Sequence, residues 1–234
     1  MIEFVFMLTH HDRTVDDALR VYEQTRGSGL RYIGLKDVGA TPEVLAGLTR
    51  AAQDDGLEVM LEVVSTSAED ELRSLRAAAE AGVDWVLGGT HPEEGVAILR
   101  GSGIKYCPFP GRVIGHPSEL DGELGEIAGH GRSLTALDGV HGLDLLAYRH
   151  RRLDPAALTR AVADAAAGPV IVAGSIASHA QIGDVAAAGA WGFTIGGAIF
   201  EDRLPGAPGV PGQLREVLAA CSAATAANTA RSTR

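Results

Sequence analysis

The sequence predicts an α/β chain closed as a single (β/α)8 TIM barrel with a long loop after strand five, and three observations carry that expectation. Short β-branched or apolar runs begin near Ile2, Leu30, Leu57, Val83, Ile104, Gly142, Pro169 and Ala190, each followed by a turn and an Ala/Leu-rich stretch with apolar residues three and four apart. Successive starts lie 21 to 28 residues apart, except the fifth and sixth, which are separated by 38; a strand, a helix and two short loops need about that length. Finally, 234 residues with 46% hydrophobic content suffice for one core, and barrels of about 200–250 residues commonly form one domain.

The elements announce themselves in order. Phe4–Leu8, Val59–Val64 and Val170–Ala173 are continuous apolar runs, as strands are when helices cover one face and a packed interior the other. Thr14 is placed to cap the first helix with Asp17 in its first turn, Thr41 precedes Pro42, Ser67 stands three before Asp70, Asp154 precedes Pro155, and Ser178 stands three before Gln181. Gly56, Gly82, Gly168 and Gly189 are the matching stops. The long connection 108–140 is glycine-rich and is expected to hold a mobile active-site loop and a short helix around Glu119–Ala128. The barrel domain is expected over 1–221, with 222–234, Ala/Thr/Ser-rich and without an apolar stripe, forming a frayed C-terminal tail.

Composition narrows the function. A mean hydropathy of +0.09 with 21% charged residues fits a globular protein. A net charge of −10 repels phosphate backbones and anionic lipids, so neither nucleic acid nor a membrane is an expected partner. Two cysteines without C-x-x-C spacing support neither a disulfide framework nor a zinc ribbon, and the apolar start lacks a basic leader, so a cytoplasmic location is expected. Only two of the 20 basic residues, Lys36 and Lys105, are lysines, which makes the position of each informative.

In a barrel, chemistry gathers where the strands end. The most specific pattern is glycine at two neighbouring ends: Gly174-Ser175 after strand seven, and Gly196-Gly197 after strand eight, with a short helix starting at Ala198. Glycines there let backbone N–H groups approach an anion, and a phosphate would be well satisfied; the alternative is that they only turn the chain. Lys36 ends the strand Tyr32-Ile33-Gly34-Leu35-Lys36, where alternation turns Tyr32, Gly34 and Lys36 inward. A desolvated lysine at a barrel mouth can abstract a proton or attack a carbonyl; otherwise it pairs with Asp37 or Glu62. Glu62, inside Leu61-Glu62-Val63-Val64, needs a partner, and Lys36 on the adjacent strand is the natural one. The pair reads either as acid and base or as an ion pair that fixes the barrel. His10, Thr90, His91, Arg112, Tyr148 and Arg149 also fall near strand ends or in the long loop and are candidate substrate-binding residues. A metal held by His10, Asp12, Glu62 and His91 lacks any ligand spacing, so neither metal nor cofactor is expected.

The stretch Val170-Ile171-Val172-Ala173-Gly174-Ser175-Ile176, followed by Gln181-Ile182 and by Ala187 through Glu201 with its Ile195-Gly196-Gly197-Ala198-Ile199-Phe200, resembles the closing third of the ribulose-phosphate-binding barrel superfamily. That group includes ribulose-phosphate epimerase, the histidine-biosynthesis barrels and, more distantly, 2-keto-3-deoxy-6-phosphogluconate aldolase. The resemblance implies a phosphorylated, sugar-like ligand with Gly174, Ser175, Gly196 and Gly197 at its phosphate, and it matches an epimerase lysine on an early strand to Lys36. The aldolase's Schiff-base lysine on strand six has no counterpart, because Tyr148 and Arg149 occupy that region. The expected function is an isomerase or epimerase working through an enediolate on a small phosphorylated sugar or keto-acid. The alternatives are a Schiff-base aldolase using Lys36 and a non-catalytic phosphometabolite sensor. A homodimer is a common assembly for such barrels.

Overall fold

The computed structural model describes residues 2–232. Eight parallel strands form the barrel: β1 (Glu3–Met7), β2 (Tyr32–Lys36), β3 (Glu58–Val63), β4 (Trp85–Gly88), β5 (Lys105–Cys107), β6 (Leu143–Leu145), β7 (Val170–Val172) and β8 (Gly192–Ile195). Each begins within two residues of the start read from the sequence. The hydrogen-bonded order is β6-β7-β8-β1-β2-β3-β4-β5. Between β5 and β6 the ring is stitched rather than laddered: His141 N–H donates to Tyr106 O at 2.8 Å and Asp144 N–H to Pro108 O at 3.1 Å.

Alternation along the strands divides the core in two. Phe4 and Phe6, Ile33 and Leu35, Val59, Leu61 and Val63, and Phe193 and Ile195 face the helices. Val5, Met7, Tyr32, Met60, Trp85, Leu87, Cys107 and Ile171 fill the barrel interior. Gly34 is inward as expected, and a side chain there would have to displace Met7, because a Cβ would lie 2.3 Å from Met7 Sδ. Trp191 closes the N-terminal end, its ring 5.3 Å from that of Trp85 and 5.4 Å from that of Tyr32.

The outer helices are α1 (Ala18–Glu23), α2 (Pro42–Asp54), α3 (Ala68–Ala81), α4 (Pro92–Leu99), α5 (Leu124–Thr135), α6 (Pro155–Ala165), α7 (His179–Ala187), a single turn α8 (Gly197–Phe200), and α9 (Val210–Ser232). Thr41, Ser67, Asp154 and Ser178 cap α2, α3, α6 and α7 with their side chains. Gly82 stops α3 in the left-handed conformation, φ 70°. Thr14 does not cap α1, whose N-cap is Asp17. Its hydroxyl instead donates to Lys36 O at 2.7 Å and accepts from Lys36 N–H at 2.9 Å, fixing the end of β2.

Two other expectations are corrected. The connection after β5 is a hairpin, Arg112–Ile114 against Glu119–Asp121, followed by α5. The helix is thus shifted from Glu119–Ala128 to Leu124–Thr135, since Glu119 pairs with Ile114 and the reciprocal capping of Glu123 and Glu126 starts the helix only afterwards. The tail expected to fray after Cys221 continues as α9 to Ser232, where Thr225 Oγ1 accepts from Ile2 N–H at 3.2 Å and Asn228 donates to Ala186 O at 2.8 Å. Residues 233–234 of that expectation lie outside the described residues. No helix among the described residues is long and apolar enough to cross a membrane.

Gly34→Ala should cost about 1–3 kcal/mol by overpacking against Met7, read as a lowered denaturant midpoint at unchanged slope.

Candidate active site

The mouth of the barrel is organised by a two-residue hairpin after β1, Thr9–His10 paired with Arg13–Thr14. His11 and Asp12 at its tip have φ of 48° and 60°, the left-handed backbone of a type I′ turn. Asn and Gly usually take these positions, so His-Asp is a strained choice of the kind found at functional sites. It holds Asp12 over the strand ends.

Asp12 is the shared partner of Lys36 and Arg149 at the mouth. Arg149, in a 3₁₀ turn after β6 (Ala147–Arg149), donates from Nη2 to Oδ1 at 2.8 Å and from Nη1 to Oδ2 at 3.2 Å. Lys36 Nζ hydrogen-bonds the same Oδ1. Burial by itself would raise the Asp12 pKa, but the Arg149 hydrogen bonds and the Lys36 and Arg149 charges outweigh it and hold the carboxyl well below the usual range. Lys36 also reaches Glu62 Oε2 at 3.6 Å. Both side chains are buried, as the pairing read from the sequence requires. Asp37, the other partner considered for Lys36, is instead consumed by four donors: Val38 N–H, Val64 N–H, Ser65 Oγ and Ser74 Oγ.

Glu62 Oε1 has no hydrogen-bond partner. Burial pushes the Glu62 pKa up; Lys36 and Arg149 oppose that, Asp12 and Asp37 reinforce it, and the net shift is upward. A second carboxyl, Asp144, lies in the interior, because its neighbours Leu143 and Leu145 face the helices. It is fully buried and neither oxygen has a partner. Sequence reading passed over Asp144, although a lone acid in Leu143-Asp144-Leu145-Leu146 raises the same question as Glu62 in its apolar strand.

The predicted phosphate residues and the predicted proton-transfer pair meet in one cavity of about 200 Å³, whose lining includes Lys36, Glu62, Arg149, Gly174, Ser175, Gly196 and Gly197. Gly174 and Ser175 are successive left-handed residues, φ 78° and 62°. The N–H groups of Gly174, Ser175 and Gly196 have no acceptor among the described residues. The glycines also answer steric needs: a Cβ on Gly174 would lie 2.3 Å from Arg149 Nε, and one on Gly196 would lie 2.4 Å from Thr9 Oγ1. Gly197 is different, since a Cβ there meets nothing closer than 3.8 Å.

Other candidates lie elsewhere. His10 Nε2 is 3.1 Å from Glu201 Oε1, beside the cavity. Thr90 and His91 are occupied with buried Glu71, which accepts from both backbone N–H groups at 2.8 Å and lies 2.9 Å from His91 Nδ1. The hydrogen bond to Glu71 raises the pKa of His91, the N-cap residue of α4. Arg112 is exposed on the hairpin and paired with Asp121. Tyr148 lines an adjoining open cavity of about 620 Å³ with Arg149 and Asp12, and burial pushes its phenol up to about 12. His10 and His91 belong to separate pairs, and no cluster of three or more His, Cys, Asp or Glu able to hold a metal occurs among the described residues.

No protein-family model matches the chain, and no curated protein does. Solved structures do. The native KDPGal aldolase structure superposes with a TM-score of 0.68 at 14% identity, covering 95% of both chains. Tryptophan synthase from M. tuberculosis, in its open form, gives 0.65 at 15% identity over 95% of this chain and 92% of that one. A cube-shaped porous cage designed by fusing symmetric oligomeric domains gives 0.71 at 14% identity over 99% of this chain and 76% of that one. The likeness is one of fold. It agrees with the nearly closed (β/α)8 barrel seen in the strand order and in the bonds between β5 and β6.

Lys36→Met leaves Glu62 and Asp12 facing each other without the ammonium and should destabilise the protein by about 3–5 kcal/mol. Adding Glu62→Gln should recover part of that loss, and a double-mutant cycle by chemical denaturation measures the coupling.

Proposed function

We propose that the chain is an isomerase or epimerase that moves a proton on a small phosphorylated sugar or keto-acid through an enediolate. One observation carries this reading: uncommitted backbone amides and a buried carboxyl with a free oxygen line the same cavity. The amides of Gly174, Ser175, Gly196 and Gly197 anchor the phosphate. Glu62 Oε1 removes a proton from the carbon beside the carbonyl, the C–H electron pair becomes the enediolate C=C, and the carbonyl pair moves onto oxygen. Lys36 stabilises that oxygen and supplies a proton to it, held in place by Asp12, which Arg149 in turn fixes. Return of the proton to the neighbouring carbon isomerises; return to the other face of the same carbon epimerises. The upward shift of Glu62 suits a group that must both take and give a proton. The resemblance of Val170–Ile176 and Ala187–Glu201 to the ribulose-phosphate-binding barrels supports the same substrate class.

A second reading keeps the anion site and makes Lys36 a Schiff-base nucleophile in retro-aldol cleavage. It is favoured by the presence of the Lys36 amine in that cavity, on a fold shared with KDPGal aldolase. Borohydride trapping separates the two, since only the aldolase adds substrate mass at Lys36.

Incubation with a panel of sugar phosphates and phosphorylated keto-acids in deuterated water should give exchange at the reacting carbon, reduced about 10²–10⁴-fold in Glu62→Gln. Gly197→Asp places a carboxylate in the cavity where there is room for it and should abolish ligand binding while leaving the thermal midpoint close to that of the parent. Binding without exchange in any member of the panel, and without substrate mass at Lys36 after borohydride, rejects both enzyme readings and favours the sensor.

A further inference from the structure

The interior holds one carboxyl more than its cations can neutralise. Around the cavity Asp12 and Glu62 balance Lys36 and Arg149, and Glu201 balances Arg203, three negative charges against three positive. Asp144, buried outside that lining, is one acid more, and its charge would act on Glu62, Lys36 and Arg149. It is fully buried, and its two oxygens accept no hydrogen bond. An ionised carboxylate in that position would lack every form of compensation that buried charges require.

The groups that act on it come from every side of the interior. Glu62 on β3 repels its charge, Lys36 on β2 and Arg149 after β6 attract it, and Cys107 on β5 is the remaining ionisable neighbour. On β7 its register partner is Ile171, which is apolar. Burial is the dominant influence and repulsion by Glu62 adds to it, so Asp144 is pushed far above the ordinary aspartate range despite the two cations. Burial pushes the Cys107 thiol up as well.

We propose that Asp144 is a positioning residue that stays a neutral carboxylic acid, and that its proton is what permits an anion to bind in the cavity lined by Lys36, Glu62 and Arg149. With Asp144 protonated, the charged side chains around the cavity cancel and the free amides of Gly174, Ser175 and Gly196 are left to attract a phosphate. With Asp144 ionised, the interior carries an uncompensated negative charge facing the incoming dianion. The residue acts through charge balance and touches no reacting atom. This inference rests on the anion-binding part of the reading above, and it adds to that reading an alkaline limit on ligand binding.

Three measurements on the full chain test it. Infrared difference spectra at neutral pH should show a protonated-carboxyl C=O band that is absent in Asp144→Asn and retained in Glu62→Gln; a band lost in Glu62→Gln instead puts the proton on Glu62 and overturns the proposal, as does the absence of any band. Stability gives a second reading. A folded pKa above the unfolded value of 3.8 means that the Asp144 contribution is complete below pH 3.8 and is lost as the pH rises towards the folded value. Asp144→Asn should therefore match the parent at the acid end and gain stability over it as the pH rises; a variant less stable than the parent at neutral pH refutes the neutral acid. The third probe is sulfate, whose charge does not change over the range. Its affinity for the parent should fall about tenfold or more on the alkaline side, and Asp144→Asn should retain it there. Equal alkaline loss in both proteins overturns the proposed role. Absence of sulfate binding at every pH rejects the anion site itself, while the infrared and stability results still decide the state of Asp144.

Discussion

Asp12 is where the mouth of this barrel is tied together. One carboxylate, raised over the strand ends by a left-handed hairpin tip, takes the ammonium of Lys36 from β2 and the guanidinium of Arg149 from the far side of the ring. Lys36 is buried and Arg149 half-buried beside it, and away from bulk water each charge is tolerated only because the others are present. The same ammonium lies beside Glu62, 3.6 Å from Oε2, while Glu62 Oε1 is left unbonded. Arg149 also donates to Ser118 O at 3.2 Å, so the hairpin after β5 is joined to the same network.

The glycines of the proposed anion site follow from close packing as much as from chemistry. Gly174 makes room for the Arg149 guanidinium, and Gly196 makes room for Thr9. A side chain at either position would break the charge network or the hairpin, so two of the glycines that leave backbone amides open are also those that the surrounding packing demands. Gly197, free of any such conflict, is the position at which the ligand role can be separated from the structural one.

Much of the architecture could be read from the residues because strand and helix signals are local. Inward placement of Tyr32, Gly34 and Lys36 followed from alternation, and four capping residues from the preference of Ser, Thr and Asp for exposed helix ends. Thr14 broke that rule because bonding both backbone groups of Lys36 serves better than capping a short helix. The C-terminal segment misled for a related reason: Ala-rich sequence without an apolar stripe gives no amphipathic signal, yet Ala has the highest helix propensity, and α9 gains contacts with Ile2 and Ala186 that are distant in sequence. Thr90 and His91 sat at a strand end as active-site residues do, and nothing in the chain before folding shows that Glu71 claims them.

By itself, then, the sequence determined the barrel, the pairing of Lys36 with Glu62 and the two glycine turns. Each rests on short-range periodicity or on neighbouring strands whose register the hydrophobic pattern sets. Only the tertiary structure decided that Asp12 meets Arg149, 137 residues away, that Arg112 and His91 stand apart from the cavity, and that Asp144 lies in the interior with no bond to satisfy it. Those facts depend on ring closure, which brings residues together by their angle around the barrel and not by their distance along the chain.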